Sequence, residues 1–415
     1  MNLLTKFRRE VTLRSQIFKS DAILTGGYIP LRILQFAGFF PFSITPQFCQ
    51  SDRFHLTYHR PLYKSPSSLW LLVVILIPLV PMVISLFYVS HHYDIAVQEF
   101  SHGGVNTFLI VTISWEICSI LCPAVARLHL LKNQKHFIRF WVGFRRLIDT
   151  LQISDDLHVA NYLKNQERKF ILHFLVQLCI AILDNATYLR YALCFEGALD
   201  GSSVLATVQE LTFSFNGILT CFALHGLIYF VSSYELCLDQ MIKSVGEKGK
   251  VGVRNILKFY AILDDHVAEF VQLFSIGLNF YVVYSLGNLL YVMYFLEITI
   301  HIEQYFLSFV NIGKLVVFTA YFYWLASCSS AVEEKSGRFC KMVRYAWSSN
   351  GWGGSGKVRR KNNQLDDNVV MCLGLEPIVI KNSVLDFNVR LLVSMIAVIA
   401  TYLVIIFQFQ AEDTA

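Results

Sequence analysis

The sequence predicts an all-α membrane protein with seven membrane-spanning helices, and three observations predict it. Hydrophobic residues make up 55% of the 415 residues and aromatic ones 14%, with a mean hydropathy of +0.49, which is more apolar material and less charge than a globular chain in water carries. Seven runs reach the roughly 20 apolar residues that a helix needs to cross the hydrocarbon core. Lys and Arg are concentrated in alternate segments between those runs.

The predicted spans are Leu69–Val89, Val105–Leu131, Phe170–Phe195, Val204–Val231, Leu273–Leu296, Tyr305–Val332 and Val389–Phe409. Ahead of them, Tyr28–Ile44 is apolar but short and carries Pro30, Arg32 and Pro41, so it is expected to be an interfacial or re-entrant helix rather than an eighth span. Met1–Lys19 is basic and polar, without an apolar stretch and small-residue cleavage site. No removable leader is expected there, and the first span serves for targeting. Six cysteines (Cys118, Cys122, Cys179, Cys194, Cys221, Cys328) fall inside apolar runs, which argues for buried thiols rather than a secreted disulfide framework.

Charge gives the spans a direction. The segments 1–68, 132–169, 232–272 and 333–388 hold 31 of the 35 Lys and Arg residues. The alternating loops His91–Gly104, Glu196–Ser203 and Glu297–Gln304 and the tail Gln410–Ala415 hold none, but carry Asp94, Glu99, Glu196, Asp200, Glu297, Glu303, Glu412 and Asp413. The positive-inside rule then puts the N-terminus in the cytoplasm and the C-terminus outside, the reverse of a G-protein-coupled receptor. The net charge of +5 is this bias, and no nucleic-acid partner is implied.

The organisation expected from these features is a cytoplasmic N-terminal segment (1–68), six helices with cytoplasmic extensions (69–332), a cytoplasmic loop and anchor segment (333–388), the last helix (389–409) and an outer tail (410–415). Ile256, Phe259, Tyr260, Leu263, Val267, Phe270, Val271 and Phe274 recur at helical spacing, so an amphipathic helix runs straight into the fifth span. Val332–Trp347 continues the sixth helix with interleaved charge, and Val369–Leu385 is half-apolar. Ser348–Lys357 is rich in glycine and serine and reads as a flexible linker, followed by the basic Val358–Lys361. Its Gly351, Gly353 and Gly356 spell G-x-G-x-x-G without the strand and helix of a nucleotide site.

No zinc-protease, Walker or nucleophile-elbow motif is present. No cofactor, metal or enzymatic activity is expected, and His91, His92 and His102 lack metal-ligand spacing. The chemistry lies within the spans. Glu116, Asp184, Asn185, Gln209, Glu210, Asn288, Asn311 and Lys314 fall at or outside the midplane, with Arg190 nearer the outer surface, where polar groups face a cavity or one another. One reading is an inter-helical network, with Lys314 paired to Glu116 or Asp184. The other is an outward-facing ligand pocket walled by Trp115, Tyr188, Tyr191, Tyr284, Tyr291 and Phe309, with Glu116, Asp184, Gln209, Asn288, Asn311 and Lys314 as its polar groups. Asn185-Ala186-Thr187 is a glycosylation sequon placed within a span and so not expected to be used.

On a helical plot of the last span, one face collects Ser394, Ala397, Val398, Thr401, Val404, Ile405 and Gln408, and the bulkier face Leu392, Met395, Ile399, Tyr402, Ile406 and Phe409. Hydroxyls, a small residue and an amide at helical spacing suit either a packing seam or a face that meets water. The run Thr401-Tyr402, five apolar residues, then Gln408-Phe409 resembles the C-terminal signature of insect gustatory receptors, and the inverted seven-helix topology is similar to that of the insect gustatory and odorant receptors. The resemblance implies a homo- or heterotetrameric, ligand-gated, nonselective cation channel. The last helix would line its pore with Thr401, Tyr402, Ile405, Gln408 and Phe409, the tastant pocket would sit in the outer half, and the cytoplasmic extensions would pack into an anchor around the axis. Monovalent and divalent cations, a small-molecule tastant and membrane lipid are the partners it implies. The Gln-Phe ending leans towards a bitter or other non-sugar receptor. Ile380–Val384 stands where many members carry a glycine-centred, cysteine-containing segment. An odorant-receptor-type subunit, a sugar-gated receptor and a transporter remain alternatives.

Overall fold

The computed structural model describes residues 35–39, 43–46, 54–57, 69–76, 79, 83, 105–150, 157–195, 201–246, 253–301, 305–348, 374–381 and 385–413. Its helices are α1 (69–76), α2 (Val105–Lys132), α3 (Gln134–Thr150), α4 (Leu157–Phe195), α5 (Gly201–Gly246), α6 (Val253–His301), α7 (Tyr305–Ser348) and α8 (Val389–Asp413). Among the described residues, α2, α4, α5, α6 and α7 are long and apolar enough to cross a membrane, and Val389–Ile405 is a shorter apolar stretch within α8. At 25 residues, α8 as a whole is roughly 37 Å long, enough for the ~30 Å hydrocarbon core. Of the first predicted span, the described residues 69–76, 79 and 83 are all helical. The histidine-bearing loop, the glycine-rich linker with its basic cluster and Arg190's side chain lie outside the described residues.

The long helices exceed what a membrane crossing needs. With 49 residues in α6 and 44 in α7, these rods run roughly 74 and 66 Å, about twice the hydrocarbon thickness. The sequence reading located the extensions of α6 and α7; α4 and α5 are extended too, starting at Leu157 and ending at Gly246. It also overlooked α3, whose Phe137, Phe140, Trp141, Phe144 and Leu147 are buried at helical spacing. Phe137 meets Phe274 edge-on at 6.0 Å, and Phe144 meets Tyr234 at 6.2 Å. The aromatic core of the extensions is built between them. His266 lies at its centre, its Nε2 donating to the Phe140 carbonyl and its Nδ1 accepting from the Tyr234 hydroxyl, both at 3.0 Å. A carbonyl only accepts, so the ring is the Nε2–H tautomer.

Within the bundle, α2 packs along α6 and α5 along α7, α6 and α7 join the two pairs, α4 flanks α5 and α7, and α8 lies against α6 and α7. Of Tyr28–Ile44, expected to be an interfacial or re-entrant helix, residues 35–39, 43 and 44 are described. Gln35 and Phe36 are helical, a turn follows, and Ser43–Pro46 (β1) pairs antiparallel with Phe54–Thr57 (β2). The turn is driven into the bundle instead of lying on it, with Ala37 and Phe39 buried. Gly38 makes this possible at φ +75°, where a Cβ would also crowd Leu71 and Val74 at 3.3 Å. Arg127, an unforeseen buried cation, clasps the turn: its Nε donates to the Ala37 carbonyl at 3.1 Å, its Nη1 to Asn216 Oδ1 at 3.0 Å, and its guanidinium lies over Phe39.

Within the half-apolar segment before α8, residues 374–381 are non-helical and fixed to the helix extensions. Ile378 N–H donates to Ser336 Oγ at 2.9 Å, the Tyr260 hydroxyl to the Glu376 carbonyl at 2.6 Å and Arg344 Nη2 to the Leu375 carbonyl at 2.6 Å. Lys381 bridges to Asp386, and the Asn388 side chain caps α8 by accepting from Leu391 N–H at 3.2 Å. In place of the glycine-centred segment of the family it resembles, this chain leads into the last helix through a bridge and an asparagine cap.

Candidate ligand cavity and the face of the last helix

Five helices enclose a cavity of about 90 Å³ at the end of the bundle away from the extensions, several times the ~10–15 Å³ that one water needs. Trp115 and Ser119 of α2, Gln177, Ile180 and Asp184 of α4, Phe213, Ser214 and Gly217 of α5, Tyr284, Asn288 and Tyr291 of α6, and Lys314, Val317 and Phe318 of α7 line it. The Trp115 indole stacks on Tyr291 with centroids 4.2 Å apart and rings inclined 13°, and donates its Nε1–H to Asn288 Oδ1 at 3.0 Å. Asn288 in turn donates to the Tyr284 carbonyl at 2.8 Å. This wall is held in one orientation by hydrogen bonds as well as by packing.

Across from it, Lys314 Nζ and Asp184 Oδ2 form an ion pair at 2.6 Å, with side-chain exposures of 22% and 15%. Of the two partners foreseen for Lys314, the structure selects Asp184. One residue on, Asn185 donates to Ser214 Oγ at 2.9 Å and to the Ala181 carbonyl at 2.7 Å, so the sequon asparagine is engaged between α4 and α5. Gln177 Nε2 contacts Cys221 Sγ at 3.1 Å, while Gln177 Oε1 and Ser119 Oγ are buried without a partner among the described residues. These two atoms are where the cavity offers hydrogen bonding not already taken.

Six of the predicted ligand-site residues therefore meet at one cavity: Trp115, Asp184, Tyr284, Asn288, Tyr291 and Lys314. Glu116 and Asn311 are buried elsewhere in the bundle and do not line it. Phe309, expected as a wall, is 67% exposed, because one residue along a helix turns a side chain about 100° from its neighbour. Tyr188 and Tyr191 lie on α4 and Gln209 on α5, with side chains outside the described ones. Gln177 and Ser119 escaped the sequence reading. A lone amide or hydroxyl in an apolar run carries no signal until its neighbours are known.

Among its described side chains, the last helix buries one narrow stripe, Leu392, Met395, Ile399 and Leu403, half-buries Val389 and Leu391, and exposes the others. The division into faces is corrected at one position: Tyr402 is 55% exposed and Leu403 takes its place in the core, since the buried stripe advances by four residues from Ile399 rather than three. Thr401 and Gln408 are exposed, as are Val398, Val404 and Ile405. Ser394 and Thr401 donate to the carbonyls of Arg390 and Ala397. Their hydroxyl protons are thus satisfied in the helix, and the oxygen lone pairs remain on the exposed face. The Phe409 side chain lies outside the described ones.

Among the described residues, no group of three His, Cys, Asp or Glu side chains converges to hold a metal ion. The sequence profile of the 7tm Chemosensory receptor family matches residues 28–413. The chain belongs to this family. No curated protein sequence matches it significantly. Among solved structures it is similar to the insect olfactory receptor OR5 from Machilis hrabei, with a TM-score of 0.54 and 12% identity over 92% of this chain and 97% of that one. It is also similar to the same receptor in complex with eugenol, with a TM-score of 0.52 and 13% identity over 93% and 97%. At such identity the likeness is one of fold, and it spans nearly the whole of this receptor-family chain, a multi-pass membrane protein.

Proposed function

We propose that this chain is a subunit of a gustatory-type receptor: a ligand-gated, nonselective cation channel of four homologous or identical subunits in the plasma membrane of chemosensory neurons, opened by a bitter or other non-sugar compound. The observation that carries the proposal is the five-helix cavity, with its stacked Trp115–Tyr291 wall and its mostly partnered polar groups. A sugar needs hydrogen-bond partners around its whole rim, whereas Trp115 already bonds Asn288 and Lys314 already pairs with Asp184, which leaves Gln177 Oε1 and Ser119 Oγ open. A small planar molecule stacks on this wall and leaves those pairs intact. The exposed face of α8 ending at Gln408 supports a pore role, since four such faces around an axis form a narrow conduit with apolar constrictions and a ring of amides.

Gating requires the ligand to favour the open state. Several kcal/mol of differential affinity, summed over subunits, turns a mostly closed population into a mostly open one. The cavity is bounded by α6 and α7, the helices against which α8 packs, so a ligand wedged there acts on the support of the pore helix. The test is to express the chain alone and record whole-cell currents against sugars, alkaloids and other plant compounds. An inward current evoked by non-sugar compounds and indifferent to G-protein inhibitors is the expected result. Current that those inhibitors abolish contradicts a channel. A second reading, an odorant-receptor-type subunit, is favoured by the similarity to an olfactory receptor over 92% of the chain. Expression in olfactory rather than gustatory neurons would select it.

A further inference from the structure

Helices α2 and α3 are joined by a single turn residue, Asn133, whose N–H donates to the His129 carbonyl and whose carbonyl accepts from Phe137 N–H, both at 3.0 Å. The helical path is therefore continuous, and one ridge can be followed from one helix into the next. On α2 that ridge is aliphatic and exposed at Ile117, Leu121 and Leu128, with Ala124 between them buried against Leu71 and Ile75 of α1. In a membrane protein these exposed side chains face lipid tails. At the end of α2 the same ridge stays exposed but becomes cationic, at Lys132, Lys135 and Arg139. The opposite side of α3 is the aromatic core of the extensions, so the cations are held outward by a packed helix.

We propose that the ridge Lys132–Lys135–Arg139 binds the anionic headgroups of phospholipids in the leaflet on the extension side of the membrane. The switch from aliphatic to cationic on a single lipid-facing ridge puts the three charges directly beneath the tails that the α2 residues touch. They span roughly 10 Å along the helix, comparable to the screening length at physiological salt, so they act on a headgroup together. No Asp or Glu occurs between Glu116 and Asp149 to neutralise them. Polybasic segments at this position attract anionic lipid with a contribution from each cation.

The test uses the purified full-length chain in detergent and fluorescently labelled phosphatidylinositol 4,5-bisphosphate as the probe, with labelled phosphatidylcholine as the neutral reference. Tight binding of the anionic probe that weakens as salt rises is expected. Replacing the ridge by K132Q/K135Q/R139Q weakens it roughly tenfold to a hundredfold, without changing phosphatidylcholine binding or the size-exclusion profile. K357Q/R359Q/R360Q/K361Q, in the other basic cluster, leaves it unchanged. The proposal is overturned if the ridge variant binds the probe as the native chain does, if only the second variant loses it, or if soluble inositol trisphosphate competes as well as the lipid, which would make the ridge a free-phosphate site.

Discussion

At the scale of the residue, the cavity is organised by side chains that bind one another before any ligand arrives. Trp115 is the hub, stacked on Tyr291 and hydrogen-bonded to Asn288. Trp115→Ala removes the wall and is expected to raise the half-maximal agonist concentration about tenfold to a hundredfold. Trp115→Phe keeps the stack but leaves Asn288 Oδ1 without its donor, and costs less. Dose–response curves of the two variants against the native channel check the order. Gly38 supports a different expectation. At φ +75° a Cβ is strained by about 1–2 kcal/mol and meets Leu71 and Val74 at 3.3 Å, so Gly38→Ala lowers the thermal-unfolding midpoint of the purified receptor.

At the scale of the element, the link between the helix extensions and α8 is the non-helical segment 374–381 with its Ser336, Tyr260 and Arg344 bonds. Asn388 starts the last helix by capping it. Asn388→Ala should destabilise that helix start by about 1 kcal/mol, and Asn388→Asp, which caps as well, should restore it; amide exchange in the first turn of α8 measures both. Hydrophobic periodicity made α6 and α7 readable from sequence because their extensions keep one apolar stripe beyond the membrane, as Ile256 to Phe274 do. The same stripe was available in Phe137, Phe140, Phe144 and Leu147 but lay inside a segment dominated by its basic residues. The turn at Gly38 was not readable: Tyr28–Ile44 is apolar enough for a membrane-surface helix, and only the tertiary clasp by Arg127 and the β1–β2 pairing explain its course.

At the scale of the whole molecule, alternating charge and apolar length made the membrane fold legible, because the cost of burying Lys and Arg in lipid is large and independent of packing details. The cavity was legible as a list of polar and aromatic residues in spans, and its membership was not. Asp184, Asn288 and Lys314 meet there while Glu116 and Asn311 do not, a difference set by helix rotation that sequence alone leaves free. On the proposed function, α8 lines a cation pathway with the face carrying Thr401 and Gln408, and keeps Leu403 in the bundle. The direct measurement is cysteine accessibility during ligand-evoked current. Charged methanethiosulfonate reagent should block Gln408→Cys channels and leave Leu403→Cys channels untouched. Block at Leu403→Cys with none at Gln408→Cys would contradict the account.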